Sequence, residues 1–215
     1  MSSPCKRAVC AQCHRPQSTC ICPWVRPVDH PVDVLVLQHP LEVDQAKGSA
    51  RLLCLSLSRS RLVTGEAFDE TELKAWLTEP WSADETGAVA RQPVLLYPAT
   101  PLTPAPSWPL DASKRRTDPP PVRLVVLDGT WRKSRKMLHL NPVLQTLPRL
   151  ALSDLPPSNY TIRKAHRSDQ RSTLEATCAA LAQLAGDATP LAPLLQAFDG
   201  FVAQQMAYRP NSLSL

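Results

Sequence analysis

Asp128, Gly129, Thr130 and Trp131 stand together in the segment VRLVVLDGTWRKSRKM, residues 122–137. They combine a carboxylate, a residue without a side chain, a hydroxyl and a large aromatic. Four cations follow within five residues: Arg132, Lys133, Arg135 and Lys136. The carboxylate suits proton transfer, the aromatic suits a flat ligand and the cations suit an anion. Asp128 is a candidate general base, or else it orients the turn by accepting backbone hydrogen bonds. Trp131 is a candidate pocket wall or a core residue. A second group lies near the amino end, Cys10-x2-Cys13-x6-Cys20-x-Cys22. Four thiolates are what a closed tetrahedral zinc site requires, and Cys-x2-Cys is the usual chelating knuckle. Cys5 is an alternative ligand with poorer spacing. A disulfide framework is the competing reading. The odd count of 7 cysteines, and a polar and basic first nine residues with no apolar core, argue for a reducing compartment instead. Cys54 and Cys178 lie in apolar runs and read as small core residues.

The elements that must position these groups follow from pattern. Val122–Leu127 is a short β-branched run, long enough for one buried strand, and Asp128 stands at its carboxyl end. In open α/β sheets ligands bind outside those ends. Thr130 is placed to cap a helix over Trp131–His139. Pro31–Leu37 reads as the first core strand, Val94–Tyr97 as another, and Ala151-Leu152 as the start of a further one. Helices are expected over about Asp44–Ser58, Asp69–Leu77, Asp169–Gly186 and Leu191–Tyr208, with a short one beginning at Asn141-Pro142. Trp76 and Trp81 are expected to pack. This alternation predicts an α/β fold with a mainly parallel sheet.

At 215 residues the chain supports one sizeable core and a small appended module. No apolar run approaches a membrane span, and the expected location is cytoplasmic. Of 23 prolines many fall in residues 93–121, which reads as an extended connector. The net charge of +5 is unevenly spread. Residues 112–140 hold eight Lys or Arg against Asp118 and Asp128, and residues 61–90 hold two against seven acidic groups. One basic face suits a polyanion, and the acidic stretch keeps the protein soluble.

The motif Asp128-x-Thr130-Trp131, with Arg15-Pro16 inside the cysteine cluster, resembles the DTW-domain family. Studied members of that family are tRNA-uridine aminocarboxypropyltransferases. Two further blocks carry the resemblance. One is Gln38-His39-Pro40-Leu41-Glu42 followed by Lys47-Gly48-Ser49-Ala50-Arg51-Leu52. The other is Tyr160-Thr161-Ile162-Arg163-Lys164-Ala165-His166, leading into Ser172-Thr173-Leu174-Glu175-Ala176. Together they span about Cys10 to the last helix. Gly48-Ser49 stands where many relatives carry Asn-Thr.

The resemblance implies a SPOUT-like trefoil-knot site for S-adenosylmethionine (SAM) within a catalytic domain over residues 31–215. A four-cysteine zinc module over residues 1–30 precedes it. The implied reaction moves the 3-amino-3-carboxypropyl group of SAM to N3 of a tRNA uridine and releases 5′-methylthioadenosine. Asp128 is then the candidate base. Leu127, Thr130, Trp131, Arg163, Ser172, Thr173 and Glu175 are the candidate SAM-binding residues, with the substrate carboxylate expected at Arg163 or at the Ser172 and Thr173 hydroxyls. His39 and Glu42 are candidates to complete the pocket. Arg132, Lys133, Arg135, Lys136, Lys164 and Arg167 are expected to hold RNA phosphates, which positions RNA without reading its sequence. Zinc on Cys10, Cys13, Cys20 and Cys22 is structural, because a four-cysteine site has no open position. Two other functions remain open: a SAM-dependent RNA methyltransferase or rRNA aminocarboxypropyltransferase, and a zinc-containing RNA-binding protein without catalysis. No protein partner is implied, and oligomeric state stays open.

Overall fold

A computed structural model describes residues 8–81, 89–98, 106–109, 120–152 and 171–207. Five strands form one sheet: β1 Asp33–Gln38, β2 Ser60–Thr64, β3 Gln92–Leu96, β4 Val122–Asp128 and β5 Arg149–Leu150. Their order is β2-β1-β4-β3-β5 and every pairing is parallel. The expected α/β class with a parallel sheet is therefore observed. The helices are α1 Ala50–Ser56, α2 Glu70–Thr78, α3 Trp131–Leu140, α4 Pro142–Gln145, α5 Thr173–Ala185 and α6 Ala192–Ala207.

Side chains alternate along a strand, so the central strands must supply two cores. Val34 and Val36 of β1, with Leu124 and Val126 of β4, pack against Leu52 and Leu53 of α1, Leu174 and Leu181 of α5 and Phe198 and Phe201 of α6. Leu35, Leu37 and Val125 face the opposite way, onto Leu73 and Leu77 of α2 and Met137 and Leu138 of α3. All six residues of β1 are buried, which explains its nearly uninterrupted apolar run.

Local chemistry sets the element ends. Asp69 caps α2 by accepting the Thr71 and Glu72 N–H groups at 2.9 and 3.0 Å. Gly186 ends α5 in the left-handed conformation, φ 74°, which costs glycine little. Other boundaries differ from the sequence reading. The helix expected from Asp44 begins only at Ala50, because a turn closed by the Gly48 N–H on the Gln45 carbonyl intervenes. The expected strand at Ala151-Leu152 is paired two residues earlier, as Arg149–Leu150. There the Arg149 N–H donates to the Pro106 carbonyl and the Arg149 carbonyl accepts from Trp108, so part of the proline-rich connector covers the sheet edge. Strand β2 has no counterpart in the sequence reading. It is an edge strand of intermediate burial, and so lacks the apolar run that marks β1 and β4. Trp76 and Trp81 pack as expected, Trp76 edge-on to Phe68 at 5.8 Å and Trp81 beneath the Arg123 guanidinium at 3.9 Å. Among the described residues no helix is long and apolar enough to cross a membrane.

Candidate active site

Strands β1 and β4 are neighbours in register, and the last pair is Gln38 opposite Asp128. Both side chains therefore emerge at the carboxyl edge at the same height. Gln38 Nε2 donates to Asp128 Oδ2 at 2.8 Å, and Thr173 Oγ1 donates to Asp128 Oδ1 at 2.5 Å from the first turn of α5. The His39 N–H donates to the Asp128 carbonyl at 3.0 Å. Asp128 is 6% exposed. These two side-chain donors, coming from different elements, fix the orientation of the carboxylate.

The turn after Asp128 is tight because of what packs on it. A Cβ at Gly129 would lie 3.1 Å from Lys133 Cβ and 3.6 Å from His39 Cβ, so glycine here allows close approach of protein to protein. Thr130 caps α3 by accepting the Lys133 N–H at 3.4 Å. Trp131 is 56% exposed rather than buried in the core, and meets Tyr97 edge-on at 5.5 Å. Leu127 is half-buried against the α2/α3 core.

The four cations of α3 divide into two kinds. Arg132 and Arg135 are exposed. Lys133 Nζ pairs with Glu42 Oε1 at 2.7 Å, and Lys136 Nζ with Glu66 Oε2 at 2.8 Å. Glu66 Oε1 also meets His39 Nε2 at 2.8 Å, while His39 Nδ1 accepts the Leu41 N–H at 3.1 Å. That pattern assigns the His39 proton to Nε2 and makes the ring a positioned donor to Glu66. Hydrogen bonds from Lys136 and then His39 hold the Glu66 carboxyl below its ordinary range. Asn141 anchors the loop carrying Glu66, donating to the Glu66 carbonyl at 2.9 Å and accepting the Phe68 N–H at 3.0 Å.

At the start of α5, Ser172 and Glu175 form a reciprocal capping box. Ser172 Oγ accepts the Glu175 N–H at 3.1 Å and donates to Glu175 Oε2 at 2.9 Å, and the Ser172 N–H reaches the same oxygen at 2.9 Å. Ser49 Oγ accepts the Leu174 N–H at 3.2 Å, a contact that a hydroxyl at this position preserves. A groove of about 510 Å³ between α5 and α6 includes Glu175 but neither Asp128 nor Trp131, so concavity alone does not mark the strand-end cluster. Arg163, Lys164 and Arg167 lie outside the described residues, as does Cys5.

Gln38, Glu66 and Tyr97 received no role from the sequence. Gln38 and Tyr97 share a signal that was present, a polar or aromatic residue closing an apolar strand. Glu66 had none, because β2, the strand before it, was not visible.

Cys10, Cys13, Cys20 and Cys22 place their sulfurs within 4.8 Å of one another. Cys10 and Cys22 are 3.6 Å apart, and Cys13 and Cys20 3.7 Å. These spacings are far too long for disulfides. A tetrahedron of Zn–S bonds of about 2.3 Å puts sulfurs about 3.8 Å apart, so the donor set fits zinc. Backbone N–H groups of Cys13 and Gln12 bring the Cys10 thiol down to about 6, whereas burial pushes Cys22 up to about 12. Four thiolates this close would repel one another, and a cation bound between them would remove that repulsion. The module is also tied to the rest of the fold: Arg15 donates to the Ala46 and Gly48 carbonyls at 2.7 and 2.8 Å, and Trp24 Nε1 to Gln204 of α6 at 2.9 Å.

A family profile described as DTW domain matches residues 7–206. The chain is 28% identical over 183 residues to a Mus musculus protein named tRNA-uridine aminocarboxypropyltransferase 2, covering 82% of this chain and 56% of that protein. A Drosophila melanogaster protein of the same name is 29% identical over 188 residues, covering 84% and 68%. An Arabidopsis thaliana protein named tRNA-uridine aminocarboxypropyltransferase A is 26% identical over 148 residues, covering 65% and 53%. The chain thus spans little more than half the length of the mouse and Arabidopsis relatives. No solved structure matches it.

Proposed function

We propose, from the premise that this chain belongs to the DTW-domain family, that it transfers the 3-amino-3-carboxypropyl group of SAM to N3 of a uridine in tRNA. The observation that carries the reading is the convergence of Gln38, Asp128 and Thr173, from β1, β4 and α5, at the carboxyl ends of adjacent strands. The names of the relatives support the substrate class.

Uridine N3 carries a proton near neutral pH, so its attack on carbon needs a base. Asp128 takes that proton, and Gln38 and Thr173 hold the carboxylate in place while it does so. The N3 electron pair forms a bond to the SAM methylene beside sulfur. The carbon–sulfur bond breaks and its pair stays on sulfur, leaving neutral 5′-methylthioadenosine. The sulfonium loses its charge, so positioning the methylene in line supplies much of the rate. Trp131, exposed beside Asp128, walls the adenosine or the methyl group. Leu127, Thr130, Arg163 and the Ser172–Glu175 turn complete the SAM site, in a SPOUT-like knotted arrangement. His39 and Glu42 border it. Arg132 and Arg135, with Lys164 and Arg167, hold tRNA phosphates. Lys133 and Lys136 exchange their glutamate partners for phosphate or remain with them and shape the pocket wall. Zinc on the four cysteines cross-links the 1–30 module internally and takes no part in the chemistry, while Arg15 and Trp24 tie that module to the catalytic domain, 31–215.

The test is incubation of the purified protein with SAM and unmodified bulk tRNA, followed by nucleoside mass spectrometry. A uridine gaining the mass of an aminocarboxypropyl group, with release of methylthioadenosine and loss of both in Asp128→Asn, is expected. A methylated nucleoside with S-adenosylhomocysteine would replace the reading with a methyltransferase. Full activity in Asp128→Asn would remove the base from the mechanism.

A further inference from the structure

Arg149 opens β5 and is only 2% exposed, yet none of its three guanidinium nitrogens meets a hydrogen-bond partner among the described residues. Other buried arginines in this fold are treated differently. Arg91 and Arg123 both donate to Asp33 Oδ2 at 2.8 Å. The Arg149 guanidinium has instead one face-on neighbour, the Tyr97 ring, 5.0 Å away. A guanidinium presents five donors and does not deprotonate, so burying it costs free energy that a cation–π contact recovers only in part.

The position of this cation is informative. Arg149 pairs with Leu95 on β3, and Tyr97 follows β3 at its carboxyl end. Tyr97 in turn meets Trp131, which opens α3 three residues after Asp128. The row of guanidinium, phenol and indole therefore leads from β5 to the sheet edge that carries the candidate base. Of the groups expected to receive a substrate carboxylate, Arg163 lies outside the described residues, and the two hydroxyls on the other side of Asp128 already donate elsewhere: Ser172 Oγ to Glu175, and Thr173 Oγ1 to Asp128.

We propose that Arg149 is the receptor for the carboxylate of SAM's amino acid end, with Tyr97 and Trp131 as the apolar path from that carboxylate to the sulfonium. This rests on the aminocarboxypropyl-transfer reading and deepens it. A planar guanidinium fork matches a carboxylate with two parallel hydrogen bonds. Holding the cargo by its far end leaves the methylene beside sulfur open to attack. Near-complete burial excludes a polynucleotide backbone.

The experiment is calorimetric titration of the wild type and of Arg149→Met with two ligands, SAM and decarboxylated SAM, which differ only by the carboxylate. The wild type should prefer SAM by roughly 10- to 100-fold, the range for hydrogen bonds to a charged group. Arg149→Met should bind both ligands alike, at the wild-type affinity for decarboxylated SAM. Arg149→Lys, which keeps charge but loses the fork, should keep only part of the preference. Preference intact in Arg149→Met, or absent in the wild type, overturns the assignment while leaving the transfer reaction standing. Failure of the wild type to bind either ligand sinks both readings together. Methionine keeps much of the volume and removes the buried charge, so ligand-free Arg149→Met should melt no lower than the wild type. A large drop in melting temperature with the preference retained would make Arg149 structural. Weakened tRNA binding with the SAM preference retained would assign it to a phosphate instead, and also overturns the proposal.

Discussion

Gly200 lies inside α6, where glycine is a poor helix residue, and the reason is Trp24 of the cysteine module. A Cβ at Gly200 would fall 2.1 Å from Trp24 Cζ3, 2.6 Å from Cη2 and 2.7 Å from Cε3. The ring has no easy retreat, because its Nε1 donates to Gln204 one turn further along the helix at 2.9 Å. Gly200→Ala must therefore push the indole off α6. Overpacking of this kind costs about 1–3 kcal/mol. Loss of the Trp24–Gln204 hydrogen bond adds about 1 kcal/mol. The better helix propensity of alanine returns about 1 kcal/mol. The net expectation is a destabilisation of about 1–3 kcal/mol. Urea denaturation followed by circular dichroism, at fixed zinc, measures it. A double-mutant cycle sharpens the test. In a Trp24→Ala background the clash is gone, and Gly200→Ala should become stabilising by up to about 1 kcal/mol. A Gly200→Ala protein as stable as the wild type would refute the docking of Trp24 on α6. The consequence reaches the site, since the same module carries Arg15 to the turn before Ser49, and Ser49 receives the Leu174 N–H beside Thr173.

Thr173→Val keeps the shape of the side chain but removes the donor to Asp128. A hydrogen bond to a charged group contributes about 1.5–3 kcal/mol, so turnover in the tRNA assay should fall roughly 10- to 100-fold, with Thr173→Ser near wild type. Unchanged turnover in the valine variant would detach Thr173 from the work of Asp128. At the opposite end of the sheet, burial raises the Asp33 carboxyl, but hydrogen bonds from Arg123, Arg91 and Arg59 outweigh it and hold Asp33 below its usual range. Its stabilisation is therefore full above the unfolded value of about 3.9 and is lost as pH falls through the lower folded value. Asp33→Asn leaves three cations around a neutral amide and should cost about 3–5 kcal/mol at pH 7. Its stability should also fall less steeply than that of the wild type between about pH 5 and 2, and parallel curves would contradict the ion cluster. For the cysteines, we expect one zinc per chain by elemental analysis and a sharp loss of metal in Cys20→Ser. Chelation should lower the melting of the whole domain in one transition, because Cys13 and Ile21 share a core with Leu174 and Phe201. Two separate transitions would show an independent module.

Much of the architecture was readable because it follows from local rules. The apolar runs ending at Leu37 and Leu127 marked the two central strands, since a strand covered on both faces has no polar alternation to obscure it. Asp69, Thr130 and Gly186 mark helix ends by side-chain or backbone chemistry that acts within a few residues. Edge strands β2 and β5 were harder. They are short and partly polar, and their pairing depends on segments far away in the chain, as when Pro106 and Trp108 bond to Arg149.

The amino-acid order alone determined the α/β class, the carboxylate at a strand end, the helix cap beside it and the four-cysteine spacing, because each is set by residues close in sequence. The tertiary structure alone decided which donors grip Asp128, 90 residues from Gln38 and 45 from Thr173. It also decided that Lys133 and Lys136 meet glutamates 91 and 70 positions away, and that Arg149 is buried against an aromatic ring without an acceptor among the described residues. Strand register and helix docking bring such pairs together, and neither leaves a trace in the neighbours of the residues concerned.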